Sequence, residues 1–256
     1  MLLYIGSGFV VGLIVGLSGV GGGSLMTPLL VLLFGFHPAT AVGTDLLYAT
    51  ITKTGGTLVH GFRGNVDWRV TGFLAVGSLP ASALTLLYLQ HQGVASDAAA
   101  HVISVMLGIA LLLTAGSLVT RRWIIGLAER LNLQAAPRRR RVITVLIGAA
   151  LGVLVSISSV GAGALGVTAL ILLYPELPTV RIVGTDIAHA VPLTLVAGIG
   201  HWFLGTVDWE ILISLVIGSL PGIFLGSGLA PRVPDRWLRR ILAVVLLIVG
   251  ARLVFV

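Results

Sequence analysis

The chain contains no cysteine, which excludes disulfides, thiolate metal sites and cysteine nucleophiles. Charge is scarce as well. Only 10% of the 256 residues are Asp, Glu, Lys or Arg, where a soluble domain carries about 25%. No Gly-Lys-Ser/Thr follows a glycine-rich stretch, so there is no phosphate-binding loop. The ~10-residue alternating segments of a membrane barrel are also missing. What fills the chain is apolar: 57% hydrophobic residues and a mean hydropathy of +1.08. In lipid every backbone polar group must be satisfied internally, so long apolar runs read as helices.

Lysine is nearly absent. Fifteen arginines accompany one lysine, Lys53, which lies inside an apolar run. The net charge of +7 would point to nucleic acid in a soluble protein. Here the basic residues gather mostly at Arg121–Arg141 and Arg232–Arg240, between apolar runs, where membrane topology explains them. No nucleic-acid partner is expected. Met1 to Val20 is apolar without a basic n-region and reads as a first membrane segment, not a cleaved signal peptide.

The chain repeats itself. Val42-Gly43-Thr44-Asp45 returns as Val183-Gly184-Thr185-Asp186, and His60 as His201. Gly64-Asn65-Val66-Asp67-Trp68 returns as Gly205-Thr206-Val207-Asp208-Trp209, and Gly77-Ser78-Leu79-Pro80 as Gly218-Ser219-Leu220-Pro221. The Gly12 to Gly23 stretch parallels Gly152 to Gly163. Order is kept throughout, and one residue is inserted before Val183. The expected organisation is a first membrane repeat at 1–120, a basic cytoplasmic linker at 121–141 and a second repeat at 142–256.

Each half opens with an apolar stretch broken by Gly and Ser (Leu2 to Gly35; Val142 to Tyr174). Three further runs follow: Ala39 to Phe62, Asp67 to Leu89 and His101 to Val119, mirrored by Ile182 to Leu204, Asp208 to Leu229 and Leu238 to Val256. These are long enough for ~30 Å of hydrocarbon. Asp67 and Asp208 stand where helix N-caps are wanted. The expected fold is an all-α membrane protein with eight to ten membrane segments. If the arginine-rich loops are both cytoplasmic, the second broken stretch must cross an even number of times. Corresponding loops of the two halves then face opposite sides, giving inverted repeats. Inverted repeats with interrupted helices at matching places are a transporter pattern.

The run Gly-x-Gly-Gly-Gly-x-Leu before Pro28, then Ala41-Val42-Gly43-Thr44-Asp45, His60 and Gly64-x-Val66-Asp67-Trp68, with its second copy, resembles the TauE/SafE family over essentially the whole chain. The resemblance implies a secondary transporter in the plasma (inner) membrane. It would export an oxidised-sulfur anion, sulfite or an organosulfonate, with ion coupling. Two places depart from the pattern. The second glycine run is partly alanine at Gly161-Ala162-Gly163, and Lys53 has Thr194 as its mate.

On their own chemistry, three groups of residues stand out. The breaks supply Ser18, Gly21, Gly22, Gly23 and Ser24, and Ser158, Ser159, Gly161 and Gly163. Amides converging at helix N-termini there would hold an oxyanion, with serine hydroxyls adding donors; close packing is the alternative. For Gly8, Gly12 and Gly16 packing is the favoured reading. Asp45 and Asp186 are buried carboxylates of a membrane helix, hence candidates for proton coupling, or else structural caps. His189, three residues after Asp186, offers a proton relay. Lys53, Thr57 and His60 share one helical face, and Lys53 needs an anionic partner, either an acid or the substrate. His60 and His201, near run ends, read as interfacial. Trp68 and Trp209 read as interface anchors and Pro80, Pro192 and Pro221 as kinks.

Gly161-x-Gly163-x-x-Gly166 matches a dinucleotide fingerprint but lacks the strand and βαβ unit that motif requires. An intramembrane enzyme built on Asp45 and Asp186 has no other support in the sequence. No cofactor and no resident metal are expected. The partners expected are a small anionic substrate and the lipid bilayer, with assembly open and a homodimer as one arrangement. The competing reading is a transporter or channel for a cation such as a metal ion, using carboxylates and histidines.

Overall fold

A glycine or a turn-forming aspartate marks most of the joints between apolar runs, and helices fill the runs themselves. The computed structural model describes residues 1–18, 23–94, 96–131, 136–229 and 235–255. These form ten helices among the described residues: α1 (Leu2–Ser18), α2 (Gly23–Leu32), α3 (Pro38–Phe62), α4 (Trp68–Gln92), α5 (Asp97–Leu131), α6 (Pro137–Ser158), α7 (Ala164–Leu173), α8 (Thr179–Phe203), α9 (Trp209–Leu229) and α10 (Asp235–Phe255). Among the described residues five segments are long and apolar enough to cross a membrane: α4, residues 98–120 of α5, α6, α8 and α9. The chain is an all-α, multi-pass membrane protein.

Helix starts follow the sequence signals. Asp67 Oδ1 accepts from the amides of Arg69 and Val70 at 3.1 and 3.2 Å, and Asp208 Oδ1 accepts from Ile211 at 3.0 Å. Helices α4, α8 and α9 run on through Pro80, Pro192 and Pro221. The basic stretch 121–141 differs from a plain loop. α5 continues to Leu131 and α6 opens at Pro137. Arg, Leu, Glu and Ala are good helix formers, and proline suits the first helical position.

The halves interlock. α1 packs along α9, and α6, the mate of α1, packs along α4, the mate of α9. Glycine makes both contacts. A side chain at Gly8, Gly12 or Gly16 would strike the backbone of Leu215, Ser219 or Ile223, and one at Gly77 or Gly148 the backbone of Val145 or Leu74. These are the small-residue helix contacts of membrane proteins, as the packing reading of Gly8 to Gly16 requires. The middle helices of the halves, α3 and α8, lie side by side and antiparallel. Gly43 sits against Thr206, Thr50 bonds Thr194 at 2.9 Å, Thr57 Oγ1 donates to the Ile187 carbonyl at 3.4 Å, and Gly184 sits against Asn65.

The Val-Gly-Thr-Asp repeat now has a physical meaning. Each Gly admits the turn of the other half, the Thr206 carbonyl at Gly43 and the Asn65 carbonyl at Gly184. Each Thr hydroxyl accepts the amide of the other half's aspartate, Asp208 N–H to Thr44 at 3.0 Å and Asp67 N–H to Thr185 at 2.9 Å. The two motifs recur together because each clamps the partner copy of the other. The Asp that follows is left fully buried between the halves.

Candidate substrate and coupling site

The second break is built by backbone conformation. Helix α6 ends at Ser158, and positive φ angles follow at Ser159 (58°), Gly161 (129°) and Gly163 (127°). Glycine adopts such angles freely, whereas a serine there is strained. Gly163 then caps α7 without a side chain, and the Gly166 amide of the first turn is taken by the Gly161 carbonyl at 3.1 Å.

The cap faces a carboxylate of the protein itself. The Gly163 amide is directed at Asp186. A side chain at Gly166 would fall on Asp186 Oδ1, so the bare glycine leaves room for it. Asp186 is fully buried, and neither of its oxygens has a hydrogen-bond partner. This corrects the picture of an α7 terminus open to an external anion, because a carboxylate already takes the position that suits negative charge.

The first half solves the same problem differently. Asp45, also fully buried, receives the Thr27 hydroxyl of α2 at 2.5 Å on Oδ2, while its Oδ1 has no partner. The Ser159 hydroxyl lies beside Asp45 without completing a hydrogen bond. Repetition could not reveal Thr27, because its mate is Val167.

Lys53 joins the halves. From α3 its ammonium donates to the Ala162 carbonyl in the second break, at 3.1 Å. It lies within the electrostatic reach of Asp186 and, more weakly, of Asp45. A cation, two carboxylates and an irregular glycine turn therefore converge where α3, α7 and α8 meet. Thr57 and His60 follow on the same face of α3. Thr57 reaches the Ile187 carbonyl, and His60 lies beside Gly184. His189 is fully buried. Its Nε2 pairs with Ser78 Oγ at 2.8 Å, and its Nδ1 has no partner.

Two readings are corrected. The Ser158 hydroxyl is not offered to a ligand: it donates to Leu154 O at 2.7 Å and accepts from Val160 N–H at 3.2 Å, fixing the turn. His201 is not interfacial but fully buried. Its Nε2 donates to Ser156 O at 2.9 Å, its Nδ1 meets Thr206 Oγ1 at 2.8 Å, and Ser156 Oγ meets Ser82 Oγ at 2.7 Å. Position near a run end hid this role. In the first break, Gly21 and Gly22 lie outside the described residues. Ser18 ends α1, Gly23 opens α2, and Ser24 is buried in its first turn.

A cavity of about 470 Å³ opens elsewhere, where the start of α3 meets the ends of α4 and α8. Its lining includes Thr206, the partner of His201, but none of the residues singled out for binding or coupling. Among the described residues no three His, Asp or Glu side chains converge as metal ligands would.

The family model described as sulfite exporter TauE/SafE matches residues 4–253. A probable membrane transporter protein of Bacillus subtilis, YjnA, is 38% identical over 96% of this chain and 97% of its own length. A second from that organism, YdhB, is 28% identical over 96% and 97%. A probable membrane transporter protein of Xylella fastidiosa is 29% identical over 91% and 85%. No solved structure matches the chain.

Proposed function

The chain belongs to the sulfite exporter TauE/SafE family of membrane transporters, and from that premise we propose that it exports a small oxidised-sulfur anion, sulfite or an organosulfonate, across the plasma (inner) membrane by ion-coupled alternating access. The observation that carries this reading is Lys53, the chain's one lysine, held at the second glycine break by the Ala162 carbonyl. A half-buried ammonium attracts an anion more strongly than a fully exposed one. The Ser159 hydroxyl, beside Asp45, is a further donor. Asp45, Asp186 and His189 are the proton-handling groups of this reading.

Alternating access follows from opposed repeats. The antiparallel packing of α3 on α8, with the loop charges, supports copies of opposite orientation in the membrane. Two such copies can exchange conformations and open one shared site to either side in turn.

The test is flux in proteoliposomes containing the purified chain. Labelled sulfite or an alkanesulfonate should cross, faster under a pH gradient and unaffected by exchange of the metal cations present. Cation flux without anion movement would replace this reading with the cation-transport alternative.

A further inference from the structure

We propose that His201 and His60 are alternating latches of the transport path. His201 seals the Gly205 side in this structure, which lies open toward the Arg63 side. His60 makes the mirror bonds when the path opens the other way. This rests on the alternating-access reading and names the groups that close each side.

Gly43, near the start of α3, sits against Thr206 beyond the end of α8, and Gly184 sits against Asn65 beyond the end of α3. His60 and Arg63 therefore stand at one end of this antiparallel pair, and His201 and Gly205 at the other. The His201 end is bonded shut. α6 ends at Ser158, and a helix leaves its last carbonyls without intrahelical partners. His201 Nε2 donates to one of them, Ser156 O, at 2.9 Å, while its Nδ1 meets the Thr206 hydroxyl at 2.8 Å. Val155 of α6 joins Leu193 and Ala197 of α8 in one buried apolar cluster beside this bond.

The mirror end is not held in this way. His60 is half-buried, and its Nδ1 has no partner. The two rings are also turned differently. His201 lays its Cβ against Gly43 and sends its ring on to α6, whereas His60 lays Nδ1 itself against Gly184 of α8. Lys53, Gly56 and Thr57 are half-buried where their mates Thr194, Ala197 and Gly198 are buried.

Composition follows the same division. Thr52-Lys53-Thr54-Gly55-Gly56-Thr57 on α3 answers Leu193-Thr194-Leu195-Val196-Ala197-Gly198 on α8. Ionisable residues within membrane helices face the bundle interior or a water-filled cavity. The α3 stretch, with Thr54 and Gly55 exposed, is the wall of an aqueous groove leading from the Arg63 side to Lys53. The α8 stretch is the seal. Beyond that seal lies the cavity of about 470 Å³. Thr206 both lines it and holds His201, so release of His201 opens the cavity toward the buried path. In the opposite state the first half supplies the same parts. Gly16, the mate of Ser156, stands in the last turn of α1, and Asn65 is the mate of Thr206. His60 then donates to the Gly16 carbonyl and meets the Asn65 side chain.

The chain has no cysteine, so an introduced thiol is the only one. Gly56→Cys and Ala197→Cys place thiols at mirror positions, and Arg63→Cys marks its own side. A membrane-impermeant cationic methanethiosulfonate is applied without substrate to intact cells and to inside-out vesicles. Gly56→Cys should react from the side that labels Arg63→Cys, and Ala197→Cys should resist from both. Adding His201→Ala should speed reaction of Ala197→Cys from the opposite side on the order of thirtyfold, the equivalent of two buried hydrogen bonds. Thr206→Val, which removes one of them, should speed it about fivefold and serves if His201→Ala fails to fold. His60→Ala should leave Gly56→Cys labelling unchanged yet slow sulfite exchange in proteoliposomes about tenfold. Labelling of Gly56→Cys only from the side opposite Arg63→Cys, or of Ala197→Cys at one rate in all backgrounds, overturns the proposal. Unchanged exchange in His60→Ala overturns the mirror latch. These labelling patterns need no anion, so they are read independently of the transport reading, which fails instead if the wild type moves no sulfite.

Discussion

The two halves share one helix plan and differ in the chemistry placed on it. What repeats is mechanical: Gly43 and Gly184 admit the opposite turn, Thr44 and Thr185 hold the opposite aspartate, and Asp67 and Asp208 cap helices. What fails to repeat is chemical. Lys53 faces the second break, while its mate Thr194 bonds Thr50 and the Ala190 carbonyl. Tyr48 stands where the second half has His189, and the Thr27 contact of Asp45 has no counterpart at Asp186. The comparison teaches that symmetry builds the frame and that departures from symmetry mark the candidate site.

The comparison breaks most severely at Lys53. Lys53→Met should reduce anion flux by at least about a hundredfold, the cost of roughly 3 kcal/mol of lost pairing with the anion, while the protein still elutes as one species. Thr194→Met, at the mirror position, should leave more than half of the flux. Equal losses in the two variants would contradict the asymmetry.

The frame comes next. Gly77→Leu must drive a side chain into the backbone of α6, whereas Gly72→Leu meets open space. The first should lose about 3 kcal/mol or fail to assemble, and the second should melt like the wild type, by thermal unfolding in detergent. His201→Ala removes two buried side-chain hydrogen bonds, worth about 2 kcal/mol together. His60→Ala, at the half-buried mate, should cost under about 0.5 kcal/mol. The smallest effects belong to the swapped clamps. Thr44→Val and Thr185→Val should each cost about 0.6 kcal/mol for the lost amide contact, with Thr185→Val the larger because its hydroxyl also donates to the Arg181 carbonyl at 2.7 Å.

Much of the frame was legible in the sequence. Apolar runs set the helices, Asp67 and Asp208 set two starts, and repetition paired the halves. The helical arginine stretch was harder to read, because α5 keeps its conformation past the point where hydropathy ends. The candidate site could be drawn from sequence as a set of residues and not as a set of partners. Lys53 stands out by being alone, and Asp45 and Asp186 by their burial cost. Nothing local told that Lys53 bonds a backbone carbonyl 109 residues away, or that Thr27 serves Asp45. Ser158 looked like a donor because sequence does not show that its own turn consumes it. Asp186 at the α7 terminus was hidden for a like reason: it faces a backbone amide, which carries no residue signature.

The most direct measurement is accumulation of labelled methanesulfonate in proteoliposomes under an imposed pH gradient, run with wild type and Asp186→Asn. The wild type should accumulate the anion on the side away from the acid. Asp186→Asn should exchange labelled for unlabelled anion yet accumulate none. A gradient that moves no anion through the wild type, or full accumulation by the variant, would contradict the account.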